Sequence, residues 1–201
     1  MALSIECLKL GIYDTNCYLI APSADGAPVL VIDPAADGEA ILSALHGRRV
    51  AAVLLTHGHF DHTGALSAFQ GVPVYMHADD APCLADPHLS AGDTVGDLTP
   101  RTGDLHFVQE GDTLHFDGFD LPVRVMHTPG HTRGSVVYCL GNDWFTGDTL
   151  FRHGYGRTDM PGGDWHQMMS SMRRLLKSPQ DAAIYPGHGD SSTLFHERGR
   201  T

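Results

Sequence analysis

The chain has 201 residues, 42% apolar and 18% charged, a balance typical of one soluble globular domain with a sizeable core. Its formal net charge of −11 argues against nucleic acid as a partner, because binding phosphates requires a basic surface. No apolar run approaches the ~18 residues of a membrane span, and the first residues lack the basic and apolar segments of a signal peptide. These features predict a single domain over residues 1–201 in the cytoplasm, with no nucleic-acid or membrane partner. The widely spaced cysteines predict reduced, mostly buried thiols at Cys7, Cys17, Cys83 and Cys139.

The apolar periodicity switches between 2 and 3.6 along the chain, as expected when strands alternate with helices. A proline-rich and glycine-rich stretch over 79–104 predicts an irregular excursion or lid. Two sheets covered by helices on their outer faces would bury this pattern. The predicted strands are 3–20 (a hairpin turning at 11–16), 29–32, 50–55, 73–76, 114–116, 121–126, 135–140, 143–146 and 181–185. The predicted helices are 38–45, 62–69 and 164–176. The apolar face of the last helix carries Trp165 and a run of methionines that is expected to pack in the core.

Three histidines and one aspartate lie within six residues directly after the apolar strand at 50–55. They stand where a core strand gives way to a helix, a usual place for a site in an α/β protein. Imidazole and carboxylate together suit zinc, iron or manganese. The sequence therefore predicts a metal site built on His57, His59, Asp61 and His62.

Three later strands end in glycine-bounded turns that each present one more ligand-type residue. Glycine permits a tight turn and a close approach of the backbone to a bound ion. Each turn alone is ordinary, but four strand-end turns of this kind in one chain predict a shared site. The residues that would join the first cluster are His131, Asp148 and His188.

The motif His-x-His-x-Asp-His, followed in order by Gly-His, Gly-Asp and Gly-His, resembles the metallo-β-lactamase superfamily. The likeness runs over nearly the whole chain, from Asn16-Cys17-Tyr18 to Pro186-Gly187-His188-Gly189. It implies a four-layer αβ/βα sandwich with a two-metal site at one edge of the two sheets. Carried over residue by residue, the first metal would be held by His57, His59 and His131 and the second by Asp61, His62 and His188, with Asp148 bridging both and Asp33 steadying the ligand loop from behind.

Seven ligands are too many for one tetrahedral zinc and suit two divalent ions that share a carboxylate and a solvent molecule. Zinc is the first expectation for these ions, with iron or manganese as alternatives. Two ions ~3.5–4 Å apart lower the pKa of a shared water from 15.7 towards ~7, which gives a hydroxide that attacks a polarised carbonyl. Asp61 and Asp148 would be the catalytic carboxylates, since both partly neutralise the ions and Asp61 could orient or accept a proton. No cysteine nucleophile is needed, and Cys139 is expected in the core.

Within the superfamily, the stretches 147–152 and 154–159 look like those of the glyoxalase II group, which hydrolyses S-D-lactoylglutathione to glutathione and D-lactate. The chain ends 13 residues after His188 and lacks that group's C-terminal helical region, so it resembles the short bacterial glyoxalase II-like proteins. This resemblance predicts hydrolysis of S-D-lactoylglutathione or a related, possibly glutathione-derived, thioester. Arg157 and Tyr155 are the predicted contacts to a substrate carboxylate or to glutathione, and a purely bracing role for Arg157 stays open.

Persulfide dioxygenases offer an alternative from another reaction class, because they share the stretch Gly156-Arg157-Thr158-Asp159. They oxidise glutathione persulfide with one iron, which here would sit on His57, His131 and Asp148. Their final histidine is typically followed by aspartate, so Gly189 after His188 favours the hydrolase. A non-catalytic metal-binding module is a third reading, and β-lactam hydrolysis is disfavoured because the antibiotic-degrading members are periplasmic.

The remaining histidines are expected to have no comparable partners: positions 46, 77, 88, 106, 115, 127, 153, 166 and 196.

Overall fold

Two six-stranded sheets form the frame of the molecule, one from each half of the chain. The structure is a computed structural model that describes residues 3–198. In the first sheet each strand pairs with the next, antiparallel up to the third strand and parallel from there on. Its strands are β1 (Leu3–Leu10), β2 (Thr15–Pro22), β3 (Val29–Ile32), β4 (Val50–Leu54), β5 (Pro73–His77) and β6 (Asp104–Val108).

The second sheet has the same sequential order, and only one of its neighbouring pairs is parallel. Its strands are β7 (Thr113–Leu114), β8 (Val123–His127), β9 (Val136–Leu140), β10 (Asp143–Gly147), β11 (Ala183–Pro186) and β12 (Ser192–Thr193). The parallel pair is β10 with β11, which brings the carboxyl ends of these two strands to one edge. That edge is where the sequence places Asp148 and His188.

The inner faces of the two sheets pack against each other and form the central core. Ile20 and Leu54 of the first sheet share one buried cluster with Val125 and Tyr138 of the second. Since side chains alternate along a strand, the neighbouring residues point outward and need covering. Helices supply that cover on both outer faces, which confirms the predicted four-layer sandwich.

Residues 3–198 contain four α-helices: α1 (Gly38–Ala44), α2 (Phe60–Thr63), α3 (Trp165–Leu176) and α4 (Leu194–Arg198). Ile41 of α1 packs in the cluster outside the first sheet. Met168 and Met172 of α3 pack outside the second sheet, which confirms the methionine run as core. The prediction that Trp165 lies on the apolar face is wrong: Trp165 is 53% exposed in the first turn of α3, where its ring lies edge-on to that of His166.

Several elements differ from their predicted bounds. The predicted helix 62–69 is split into α2 and a 3₁₀ turn at Leu66–Phe69, and Gly64 lies between them. The predicted excursion holds two further 3₁₀ segments, Ala78–Leu84 and Gly92–Val95, and its end already belongs to β6. The strands β6 and β12 and the helix α4 were not predicted, because they are edge or short elements with little apolar periodicity.

The remaining expectations on the whole chain can be placed on the structure. The predicted domain 1–201 includes Met1, Ala2 and residues 199–201, which lie outside the described residues. Among residues 3–198, no helix has the length and apolar character that crossing a bilayer requires. The four cysteines are free thiols; three are buried, Cys139 among them, and Cys7 is exposed, which confirms the prediction of mostly buried thiols.

Candidate metal centre

All seven predicted metal ligands lie together at one edge of the two sheets. Three stretches of chain reach this edge directly from a strand: the loop after β4, the turn after β10 and the turn after β11. The turn between β8 and β9 adds His131. The candidate ligand atoms form two groups, within each of which all atoms lie within 4.8 Å of one another: His57, His59 and His131, and Asp61, His62 and His188.

Within each group the candidate atoms are as close as ligands of one ion. In the first group, His57 Nε2 lies 3.1 Å from His59 Nδ1. In the second group, Asp61 Oδ2 lies 3.2 Å from His188 Nε2 and 3.7 Å from His62 Nε2. Ligands held at ~2.0–2.1 Å around a tetrahedral ion are separated from each other by about 3.4 Å.

Asp148 lies between the two groups and faces both. Its Oδ2 is 3.5 Å from His131 Nε2 of the first group. Its Oδ1 is 3.4 Å from His62 Nε2, and its Oδ2 is 3.6 Å from His188 Nε2, both of the second group. One carboxylate therefore reaches ligand atoms of both groups.

Several of these polar atoms are buried without a hydrogen-bond partner among the described residues. They include His62 Nε2, His131 Nε2 and Asp148 Oδ1. A buried polar atom left unpaired costs about 1–3 kcal/mol, so native proteins keep few of them. A divalent cation in each group would take up these lone pairs. The residues present therefore fit divalent metal ions.

Each imidazole of the second group is oriented by a hydrogen bond at its other ring nitrogen. Asp33 Oδ2 lies 2.8 Å from His62 Nδ1, and the Tyr13 carbonyl lies 3.1 Å from His188 Nδ1. Asp33 is buried, and its two oxygens also accept from the N–H and Oγ1 of Thr56 at 2.7 and 2.6 Å. Through these contacts Asp33 holds His62 and the start of the ligand loop in place, although one of its oxygens also lies within 4.8 Å of ring nitrogens of His57 and His62. Such outer contacts fix ring orientation and tautomer.

Comparison with known protein families shows to which superfamily the chain belongs. A family model described as the metallo-beta-lactamase superfamily matches residues 10–188. The chain belongs to the metallo-β-lactamase superfamily. Among curated relatives, hydroxyacylglutathione hydrolase GloC of Haemophilus influenzae is 32% identical over 206 residues, covering 98% of this chain and 95% of that protein.

Solved structures of the metallo-β-lactamase superfamily match the whole fold. BLEG-1, a B3 metallo-beta-lactamase, superposes with a TM-score of 0.84 at 32% identity and covers 98% of this chain and 97% of its own. TTHA1623 in a di-iron-bound form gives the same TM-score of 0.84 and 32% identity, with 98% of each chain covered. ETHE1 from Myxococcus xanthus has a TM-score of 0.76 and 28% identity, covering 98% of this chain and 82% of that chain.

Two imidazoles of the first group, those of His57 and His59, are held in the neutral form because burial lowers their pKa values. Burial lowers the pKa of His57 well below its ordinary value of 6.5, and the neighbouring His62 adds to the shift. Burial likewise lowers the pKa of His59 to about 3. Neutral imidazole is the form that binds a metal ion, so acid does not compete strongly for these nitrogens.

The second group is electrostatically different because carboxylates surround it. Burial alone would lower the pKa of His62, but Asp61, Asp148 and Asp33 reverse this and raise it well above 6.5. The pKa of His188 is also raised, since a hydrogen bond with Asp61 and the charge of Asp148 outweigh burial. A cation entering the second group must therefore displace protons from His62 and His188, whereas His57 and His59 of the first group hold none.

We expect the two ions to leave in separate steps as the pH falls. A raised imidazole pKa lets protons compete with the metal at a higher pH, so the second group should empty first. The first group should keep its ion to lower pH, since His57 and His59 resist protonation. Metal content per chain after dialysis at pH 8, 7, 6 and 5 measures this order. Loss of both ions in a single step, or loss from the first group before the second, would contradict the assignment.

The predicted substrate residues lie outside the two ligand groups. The guanidinium of Arg157 is exposed and donates from Nε and Nη2 to the Asp159 carboxylate, both at 2.7 Å. Its backbone carbonyl lies 2.7 Å from His131 Nδ1 and so holds that imidazole. Tyr155 is 41% exposed and lines a separate cavity beside α3. Contact of either side chain with substrate stays a prediction.

Sequence reasoning missed Asp80, which joins the loops of the first ligand group. Its side chain is 1% exposed. Oδ2 accepts from Gly58 N at 2.9 Å and from Thr132 Oγ1 at 2.7 Å, and Oδ1 accepts from Gly134 N at 2.7 Å. Gly58 separates His57 from His59, and Thr132 follows His131. Asp80 comes shortly after the end of β5, and a position just after a strand is also the pattern by which the metal ligands were predicted.

We expect Asp80→Asn to weaken metal binding at the first group by about 10–100-fold, as outer-contact variants of metal sites do. An amide offers one acceptor oxygen where the carboxylate offers two, so at least one loop loses its anchor. Competition with a metal chelator measures the affinity of each site. The matched control is Asp79→Asn, one residue earlier and exposed. Unchanged affinity in Asp80→Asn would remove Asp80 from the site.

The expectation that the other nine histidines have no comparable partners is wrong for two pairs. The rings of His77 and His127 stack at 4.1 Å and 3°. His153 and His196 lie 5.3 Å apart, beside the buried carboxylate of Glu197. Each pair joins residues at least 43 positions apart in the chain, so local sequence carries no signal for them.

Proposed function

We propose that this chain is a dinuclear-metal hydrolase that cleaves S-D-lactoylglutathione or a related thioester. The observation that carries the proposal is the position of Asp148, which faces both ligand groups at 3.4–3.6 Å. A carboxylate shared in this way is the arrangement that two-metal hydrolysis requires. The thioester class is supported by the 32% identity to hydroxyacylglutathione hydrolase GloC.

Two divalent ions, when bound, would supply hydroxide at neutral pH and polarise the thioester carbonyl. The protein's own groups hold and neutralise them, with Asp148 between the groups and Asp61 at the more exposed side. Asp61 Oδ2 accepts a hydrogen bond from Thr15 Oγ1 at 3.0 Å, which fixes the carboxylate. The pKa of Asp61 is lowered: burial opposes ionisation, but His62 and His188 outweigh it. Asp61 is therefore ionised and can orient the attacking water and accept its proton.

The thioester also suits the residues around the centre. Cleavage of the carbon–sulfur bond releases a thiolate, whose conjugate acid has a pKa near 8.5 in the case of a cysteine thiol. Such a leaving group departs without a strong general acid, and the proposed chemistry assigns none. Two aromatic residues lie next to His188: Phe151 stands edge-on to its ring, and Tyr13, whose carbonyl contacts His188 Nδ1, is 50% exposed. An acyl-thioester chain can pack there.

A persulfide dioxygenase is the second candidate, favoured by the similarity to ETHE1 at 28% identity and a TM-score of 0.76. It would need one iron on His57, His131 and Asp148. The complete second group of Asp61, His62 and His188 favours the hydrolase, because a single iron would leave those ligands unused.

The test is turnover of S-D-lactoylglutathione by purified protein whose metal content has been measured. Oxygen uptake with glutathione persulfide and hydrolysis of a chromogenic β-lactam run beside it, the latter because of the similarity to BLEG-1. Thioester hydrolysis with two metals per chain would support the proposal. Oxygen uptake with one iron per chain would replace it with the dioxygenase, and rapid β-lactam cleavage without thioester turnover would move the protein to a third class.

We expect Arg157→Ala to raise KM for the thioester about tenfold or more without changing metal content. A substrate carboxylate would accept a charge-assisted hydrogen bond from the guanidinium, and alanine removes that donor. Metal content should persist because His131 is held by the Arg157 backbone carbonyl, which alanine retains. Steady-state kinetics and metal analysis measure the two effects. Asp159→Asn is the control, since it frees the guanidinium; an unchanged KM in Arg157→Ala would leave Arg157 as a brace of its loop.

A further inference from the structure

A cavity of about 920 Å³ lies on the far side of the loop that carries Asp148. We call it the α3 cavity; its walls are α3 from Met169 onward with the residue that follows the helix, the loop residues 150 and 153–155, and the last two residues of α4. Binding sites for small organic molecules usually measure about 300–1,000 Å³ and are mostly apolar with a few polar groups. The α3 cavity is separate from both ligand groups, none of whose residues lines it.

The floor of the α3 cavity is apolar and adaptable. Met172 and Leu150 lie at the bottom and are buried, while Met169 and Leu176 are half-buried along the wall. Methionine is flexible and polarisable, so such a surface follows the shape of an irregular apolar ligand. Half-buried apolar side chains facing a recess gain free energy when a ligand removes them from water.

Two cations stand at the rim without partners. Arg173 lies in the last turn of α3, and Lys177 follows the helix directly, four residues later. Both are exposed, and neither side chain makes a hydrogen bond or ion pair with another residue between 3 and 198. The neighbouring Arg174 points elsewhere, where it binds Glu110 at 3.1 Å and the His127 carbonyl. Unpaired cations at this edge are notable in a chain of net charge −11.

The remaining charged groups of the α3 cavity are already engaged. Glu197 is buried, and its oxygens accept from Ser192 Oγ and from the backbone N–H of His153. The Arg198 guanidinium donates to the carbonyls of Ser178 and Gln180. The cavity therefore combines two exposed positive charges that have no partner among residues 3–198 with buried and half-buried apolar side chains.

We propose that the α3 cavity binds an amphipathic carboxylate, namely a fatty acid of medium chain length. Its carboxylate would lie between Arg173 and Lys177, where a guanidinium can offer two parallel N–H donors. Its alkyl chain would cover Met169, Met172 and Leu176. The two cations favour an anionic ligand, and the apolar floor favours an anion with an alkyl chain over an inorganic anion. The proposal does not depend on the thioester hydrolase activity.

The experiment is calorimetric titration of the purified, metal-loaded protein with dodecanoate below its micelle concentration. We expect saturable binding with one site per chain, and binding about tenfold or more weaker in the double variant Arg173→Gln, Lys177→Gln, since hydrogen bonds to charged groups are the strong ones. Met169→Gln, nearly the same size but polar, should also weaken binding. The matched control Arg174→Gln should bind as the parent does. Thermal unfolding of each variant checks that the fold is kept.

Three outcomes would overturn the proposal. The first is the absence of saturable binding by the parent protein. The second is equal affinity in the parent and the double variant. The third is binding that Asp148→Ala abolishes and the double variant retains, since the carboxylate would then lie at the metal centre. The dodecanoate titration and the thioester assay are independent, so a negative result in one does not change the interpretation of the other.

Discussion

Replacing Asp148 with alanine should cost the protein both metal ions and nearly all turnover. Its carboxylate is 8% exposed and faces ligand atoms of both groups at 3.4–3.6 Å. Burial alone would raise its pKa, but the neighbouring imidazoles, His62 first, lower it to about 2, so the side chain is anionic at every working pH. Alanine removes that charge and leaves imidazoles facing one another with one carboxylate, Asp61, to balance two ions.

We expect turnover of Asp148→Ala to fall by about 10³-fold or more, because a bound metal supplies several kcal/mol of transition-state stabilisation and each 1.36 kcal/mol is about tenfold. Metal content after dialysis should fall below one ion per chain. Asp190→Ala is the control, because Asp190 is an exposed aspartate two residues after His188 that only pairs with surface cations. Two ions per chain with full turnover in Asp148→Ala would make the two-metal assignment wrong.

Of the variants considered, Asp33→Ala should lower the free energy of unfolding most, by about 3–5 kcal/mol, which is the range for breaking a buried charged pair. Three donors would lose their acceptor: the N–H and Oγ1 of Thr56 and Nδ1 of His62, which all lie within 2.8 Å of the carboxylate. Asp33 also has φ 50°, a left-handed conformation that aspartate tolerates better than alanine. Urea unfolding of chelator-treated protein measures the effect without the contribution of bound metal.

The control for Asp33 is Asp37→Ala, because Asp37 has nearly the same φ, 49°, but is exposed and only caps α1 through Ala40 N. Loss of that cap should cost about 1 kcal/mol. Metal analysis adds a second readout: Asp33→Ala should lose the ion of the second group, since His62 is no longer oriented, whereas Asp37→Ala should lose none. Equal destabilisation of the two variants would show that backbone conformation, not the buried contacts, accounts for the effect.

The predicted ligands came together because each follows a buried strand by a few residues. His57 comes after β4, Asp148 after β10 and His188 after β11, and the carboxyl ends of these strands meet at one edge. Both signals are local: an apolar run defines the strand, and a glycine turn defines its end. The membership of the superfamily confirms the likeness that the motif suggested.

The residues that local patterns missed depend on distant parts of the chain. Asp80 binds Gly58 and Gly134, which are 22 and 54 positions away. The helix α4 is only five residues long and is held by burial of Leu194 and Glu197. A helix this short does not form on its own propensity, so its sequence has no periodicity to read.

The sequence by itself determined the set of candidate ligands, because apolar strands and the turns that end them depend only on neighbouring residues. The motif that these residues form resembles the metallo-β-lactamase superfamily, and that resemblance implied the layer order and a place for Asp33 behind the ligand loop. The tertiary structure alone decided which atoms hold each ligand. It placed Asp33 against His62, the Arg157 carbonyl against His131 and the Tyr13 carbonyl against His188. These contacts span 26 to 175 positions and arise from the packing of the two sheets, which no local pattern encodes.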